Sequence, residues 1–143
     1  NQFHLRMLIE IFDKNIKETT TDNSTTKVEE TSIISALKVE DDNNVMDKIN
    51  SLKEKLTSTD ISTEEKNSVF EELKLLNKNS SKEETIELKI KELCNCENFV
   101  KIDGDNIRVV LDSKDSNTSS ANNIMRLVQN EFEDKMYISV KYN

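Results

Sequence analysis

The sequence predicts an α+β fold, because the spacing of its apolar residues changes twice along the 143 residues. Between about 42 and 95 they recur every three or four residues, as in an amphipathic helix. Over 99–111 and 136–142 they alternate, as in strands with one buried face. The single glycine directly follows Asp103, and Asp-Gly is a strong hairpin signal.

The helical part is predicted to contain three segments. An apolar stripe over 45–56 marks the first, and a Ser-x-x-Glu capping box at 62–65 begins the second. Side chains of the polar run 77–80 compete for backbone hydrogen bonds, so we expect a break there. A further capping box at 81–84 then begins the third helix, which is expected to end near Cys94.

Residues 81–143 are predicted to form a helix–strand–strand–helix–strand module. Its two helices would cover one face of a three-stranded sheet. The third strand returns after a helix, so it is expected to lie parallel to one of the other two. The second helix of the module follows a polar loop at 113–119 and directs these side chains inward: Ile124, Leu127, Val128 and Phe132.

The chain is predicted to divide near residue 42. Residues 1–41 are read as a membrane-proximal segment with a Thr-rich linker at 17–32, too poor in apolar groups to order itself. Residues 42–143 are read as a soluble α+β domain, in which additional helices precede the module at 81–143. The sequence contains no run of about 18 apolar residues. Because it begins at Asn1, we expect that an N-terminal membrane anchor is missing.

Charge and composition argue against nucleic-acid binding and catalysis. The net charge is −8, whereas nucleic-acid affinity depends on basic patches. The one histidine, His4, lies in the predicted tail, where it cannot complete a catalytic triad. Glutamate pairs at 64–65, 71–72 and 83–84 are expected on solvated helix faces. We therefore predict no catalytic residue, no metal site and no cofactor.

Two further motifs receive structural interpretations. Cys94 and Cys96 are expected to be partly buried free thiols, because a disulfide between them would close a very small ring. An acidic turn begins at Asp103, but Arg108 and Lys114 stand where a calcium loop needs Gly and Glu. A hairpin turn accounts for that stretch.

The chain resembles the stage III sporulation protein AH (SpoIIIAH) family of endospore-forming bacteria. The resemblance covers about 44–143, and Phe3 with Arg6 resembles the aromatic-to-Arg segment that follows the family's membrane anchor. The sequence departs from the family at Cys94-Asn95-Cys96 and in the length of its linker. The resemblance is carried by four segments: SLKEKLTSTDISTEEKNSVFEELKLL, SSKEETIELKIKEL, ENFVKIDGDNIRVVL and IMRLVQNEFE.

The resemblance implies a non-enzymatic subunit of a channel or zipper complex that links mother cell and forespore during engulfment. One N-terminal helix would anchor it in the mother-cell membrane, with the soluble domain in the intermembrane space. Its ring-building motif would be similar to those of flagellar and type III secretion basal-body rings. The implied partner is a SpoIIQ-like LytM-domain protein. Ring self-association is expected only in the assembled complex.

Exposed sheet edges suggest where partners bind, since unpaired backbone groups accept a further strand. The candidate interface residues, taken from the hairpin and the last strand, are Lys101, Arg108, Val109, Leu111, Ile138 and Val140. Three alternatives stay open: a ring or scaffold subunit of a secretion-type basal body with another partner, a small hydrolase, and an adaptor that forms no ring.

Overall fold

The structure is a computed structural model that describes residues 32–112 and 118–143. Predictions for Phe3, His4, Arg6, the Thr-rich linker and Lys114 lie outside these residues. The described chain contains three helices and three strands, in the order α1 (Ile33–Thr57), α2 (Thr63–Cys94), β1 (Glu97–Asp103), β2 (Asn106–Asp112), α3 (Thr118–Gln129) and β3 (Tyr137–Tyr142).

The α+β class and the order of the last five elements are confirmed. The three strands form one sheet in the order β1-β2-β3. β1 and β2 are antiparallel, with Val100 opposite Val109. β3 is parallel to β2, with Val140 opposite Val109. A parallel neighbour requires a crossover connection, and α3 lies in that connection.

The predicted hairpin turn is also confirmed. Asp103 pairs with Asn106, which leaves Gly104 and Asp105 as the turn between β1 and β2. Gly104 has a φ of 62°, in the left-handed region that glycine adopts without steric cost. The Asp105 carbonyl accepts a hydrogen bond of 2.8 Å from the Tyr137 N–H, so the same turn aligns the start of β3.

Helix α1 begins earlier than the sequence-based boundary at 42. It starts at Ile33, so residues 33–41, which were predicted to belong to the membrane-proximal segment, are helical. Ile34 is almost completely buried and packs with Phe99 and Val110 of the sheet. The sequence separates Ile34 from these partners by more than sixty residues, so local composition gave no sign of the contact.

Helix α2 is continuous over 32 residues, and the predicted break at 77–80 is wrong. Each Asn or Ser costs a helix only a few tenths of a kcal/mol, which packing on both sides easily offsets. The first predicted cap is confirmed at Ser62, whose hydroxyl accepts a 3.1 Å hydrogen bond from the Glu65 N–H. Ser81, the second predicted cap, lies within the helix.

The described residues form two compact units, comprising 38–78 and 33–37 with 79–143. In the first unit, α1 and α2 bury Ile49, Leu52, Val69 and Leu73. In the second unit, one face of the sheet packs on α2 and α3 around a larger core, made of Ile86, Ile90, Val100, Ile102, Ile107, Val109, Leu111, Ile124 and Val128. Leu127 and Phe132 are partly buried against it, as predicted.

The two cysteines form a disulfide, so the expectation of free thiols is wrong. Asn95, between them, has a φ of 51° and lies at the C-terminal end of α2. A left-handed residue there reverses the chain direction. The Cα atoms of Cys94 and Cys96 are 5.2 Å apart, within the range that a disulfide can bridge.

Replacing Gly104 by Ala should destabilise the protein by about 1 kcal/mol, because alanine in a left-handed conformation is strained. No heavy atom lies within 4 Å of the added Cβ, so no clash contributes to the loss. Urea unfolding followed by circular dichroism measures the difference. Gly104→Asn is the matched control, since Asn tolerates this region better. An alanine variant as stable as the parent would contradict the explanation.

Candidate interaction surface

The edges of the sheet are the first place to look for a partner site. A strand at an edge directs the N–H and C=O of every second residue away from the sheet. The strand order places β1 at one edge and β3 at the other, with β2 between them. The two edges differ in what their outward groups contact.

Two glutamates of α2 cover the β1 edge. The Val100 N–H donates to Glu87 Oε2 at 2.9 Å, and the Ile102 N–H donates to Glu83 Oε2 at 2.9 Å. Residues four apart lie on the same side of a helix, so both carboxylates reach alternate residues of the same strand. Glu83 is only 7% exposed. The expectation of a solvated position is therefore wrong for Glu83.

Asn98 extends this contact to the start of β1. Its Nδ2 donates to the Glu87 carbonyl at 3.0 Å and to the Cys96 carbonyl at 3.4 Å. Asn98 is itself buried. The outward N–H groups of Val100 and Ile102 are thus held by carboxylates of α2, and the Asn98 side chain bonds to the α2 backbone beside them.

The β3 edge is arranged differently. The N–H groups of Tyr137 and Asn143 donate to carbonyls of the hairpin turn and β2, at 2.8 and 2.9 Å. Because the direction alternates along a strand, the backbone groups of Ile138, Val140 and Tyr142 point away from β2. Within residues 32–112 and 118–143, no strand pairs with that side of β3.

The six residues that the sequence predicted as an interface lie in different environments in the structure. Val109 and Leu111 are fully buried in the central strand, so the argument from an exposed edge does not apply to them. Ile138 and Val140 pack their side chains partly into the core, while their backbone groups face the open edge. Their assignment to a partner interface remains a prediction. Lys101 and Arg108 lie directly opposite each other on β1 and β2.

The face of the sheet that carries Arg108 is partly open and carries charges of both signs. Arg108 is exposed, and its guanidinium lies 5.6 Å from the centre of the buried Phe99 ring. On β3 the register places the exposed side chains of Tyr137, Ser139 and Lys141 on the same face. Alternation along β1 and β2 also places the exposed Glu97, Asp103 and Asp112 there.

A cleft of about 720 Å³ lies beside the turn between α1 and α2, and its lining combines Lys55, Asp60, Glu64 and Glu72 with serines. No His or Cys lines it, so the cleft holds neither a Ser-His nor a Cys-His pair. In the described part of the chain, no cluster of His, Cys, Asp and Glu is suited to a metal ion.

Glu83 and Glu87 were missed at the sequence level, although one signal was present. Glu83 precedes Ile86 by three residues and Ile90 by seven, which places a carboxylate on the apolar stripe of the helix. A charge in that position is rarely buried unless it has a partner. The partners are backbone N–H groups of β1, which no side-chain pattern reveals.

A family model described as SpoIIIAH-like protein matches residues 9–140. The chain belongs to the SpoIIIAH-like family. A chain from a solved structure of "the SpoIIQ-SpoIIIAH pore forming complex" has the same fold, with a TM-score of 0.70 and 19% identity over 78% of this chain and 97% of that chain. Among curated proteins, no sequence matches. No helix of the described residues is long and apolar enough to span a membrane.

Replacing Glu83 by Ala should destabilise the protein by about 1–3 kcal/mol, because the buried Ile102 N–H loses its acceptor. Glu83→Gln should cost less, since the amide oxygen still accepts a hydrogen bond. Glu84→Ala, at the exposed neighbour, is the control and should change the free energy of unfolding by less than about 0.5 kcal/mol. Equal losses for the alanine variants at 83 and 84 would exclude a specific role for this hydrogen bond.

Proposed function

We propose that this protein is a non-enzymatic structural subunit of a channel or zipper complex linking mother cell and forespore during endospore formation. It binds a SpoIIQ-like LytM-domain protein through its soluble domain. A single-pass anchor holds it in the mother-cell membrane around the forespore, and the soluble domain lies in the intermembrane space. Rings of this subunit form only within the assembled complex.

Family membership over residues 9–140 is the observation that carries the proposal. The fold shared with a chain of the SpoIIQ-SpoIIIAH complex supports it, since that protein is part of a pore-forming assembly. The described residues also offer two surfaces for assembly: one sheet edge without a neighbouring strand, and the partly open face that carries Arg108. Open sheet edges and exposed charged faces both bind other polypeptides.

In this proposal the partner binds to the face that carries Arg108 and to the β3 edge. Of the six candidate residues, Lys101 and Arg108 contribute side chains on the face, and Ile138 with Val140 contributes backbone groups at the edge. Val109 and Leu111 act indirectly, because their buried side chains hold β2 against the helices.

The direct test is co-purification of this chain with the extracytoplasmic domain of its LytM-domain partner. Titration by calorimetry then gives the dissociation constant for the parent and for Arg108→Glu. We expect the reversal to weaken binding about tenfold, because a reversed charge within an interface disrupts its electrostatic complementarity. Arg108→Ala also loses the contact with Phe99, so the difference between the two variants isolates the charge.

Arg126→Glu on α3 is the matched control, since Arg126 is exposed and lies on a different element. It should bind as the parent does. If the parent chain does not bind the LytM-domain protein, the proposed partner is wrong, and a secretion-type ring with another partner becomes the better reading. If the parent binds and charge reversals at Lys101 and Arg108 have no effect, the face that carries Arg108 is not the interface.

A further inference from the structure

The two edges of the sheet are unequal, and the inequality has a defined chemical cause. The outward N–H groups of Val100 and Ile102 are bonded to carboxylates, whereas those of Ile138, Val140 and Tyr142 face away from β2 with no strand beside them in the described residues. We propose that Glu83 and Glu87 close the β1 edge, so that a partner's extended strand docks only along β3.

The positions of the Glu83 and Glu87 carboxylates explain why a further strand cannot pair with β1. A strand that added to β1 would need the same N–H groups that Glu83 and Glu87 already hold at 2.9 Å. It would also have to displace both carboxylates from these N–H groups, and Glu83 is only 7% exposed. A buried carboxylate that loses a hydrogen bond is costly, so addition at β1 is disfavoured.

The β3 edge suits an extended strand. The outward backbone groups of Ile138, Val140 and Tyr142 span about 13 Å, which is enough for a short ladder of hydrogen bonds. The side chains of these residues pack partly into the core, so they hold the backbone in place without blocking the approach. Tyr137 and Lys141 on the open face lie beside the incoming strand and can contact its alternate side chains.

This inference deepens the proposed function, because it assumes that the docking strand belongs to the LytM-domain partner. One part of the test does not depend on that assumption. Amide hydrogen exchange of the free full chain, measured by NMR, reports each N–H separately. We expect Val100 and Ile102 to exchange at least tenfold more slowly than Ile138 and Val140. Equal rates would show that β1 is not closed and would overturn the proposal.

Carboxylate variants test the cause of the closure. Glu83→Ala with Glu87→Ala should raise the exchange rates of Val100 and Ile102 at least tenfold, while Glu84→Ala leaves them unchanged. The paired Gln variants at 83 and 87 keep an acceptor oxygen and should retain slow exchange, which guards against misfolding of the alanine form. If the alanine form is folded and both amides stay slow, the carboxylates do not close the edge.

A proline at the open edge tests the docking mode. Val140→Pro removes an N–H that β2 does not use, a substitution that edge strands tolerate. It should weaken partner binding at least tenfold, whereas Val140→Ala, which loses side-chain packing but keeps the N–H, should bind as the parent does. Both variants are first compared with the parent by thermal unfolding. Equal affinity of a folded proline variant would overturn docking along β3.

The experiments distinguish a wrong partner from a wrong docking edge. If the parent does not bind the LytM-domain protein, the proposed function fails, while the exchange rates of the free chain still decide whether β1 is closed. If the parent binds and the amides of Ile138, Val140 and Tyr142 slow at least tenfold in the complex, the docking edge is confirmed. If the exchange rates of the β1 amides change on binding instead, docking along β3 is wrong, while the proposed function is retained.

Discussion

The second unit depends on one constraint, namely that a three-stranded sheet has a single central strand. β2 is bonded on both sides, and it buries residues on both faces although Asn106, Arg108 and Asp112 stay exposed. Ile107, Val109 and Leu111 face the main core, and Val110 packs against the first turn of α1. Any shift of β2 by one residue would exchange these two faces. The Asp-Gly turn and the crossover through α3 therefore both serve to hold one register.

Much of this unit was predictable because its signals are local. Alternation of apolar residues located all three strands, and the lone glycine located the hairpin turn. Helix α3 was visible from the spacing of Ile124 and Val128, which are both fully buried. In each case a short stretch of sequence contains both the element and the face that it buries, so no knowledge of distant contacts was needed.

The wrong predictions concern features that depend on contacts between residues far apart in the sequence. The polar run 77–80 was read as a break, yet packing on either side keeps α2 continuous. The start of α1 depends on Phe99 and Val110, which are far along the chain. Likewise, Glu83 bonds to a backbone N–H of β1, and backbone groups are the same in every sequence. The interface residues shared this difficulty, because which strand is central cannot be read from alternation.

The covered β1 edge also limits how large a strand-paired assembly can grow. A sheet with two open edges is divalent, so copies can add at both sides without end, as in a fibre. Because Glu83 and Glu87 occupy the β1 edge, only the β3 edge can pair with another strand, and the sheet can accept one added strand. Strand pairing then terminates at two molecules. A ring of many copies would have to be joined through side-chain surfaces, which leaves the pairing edge for one dedicated partner.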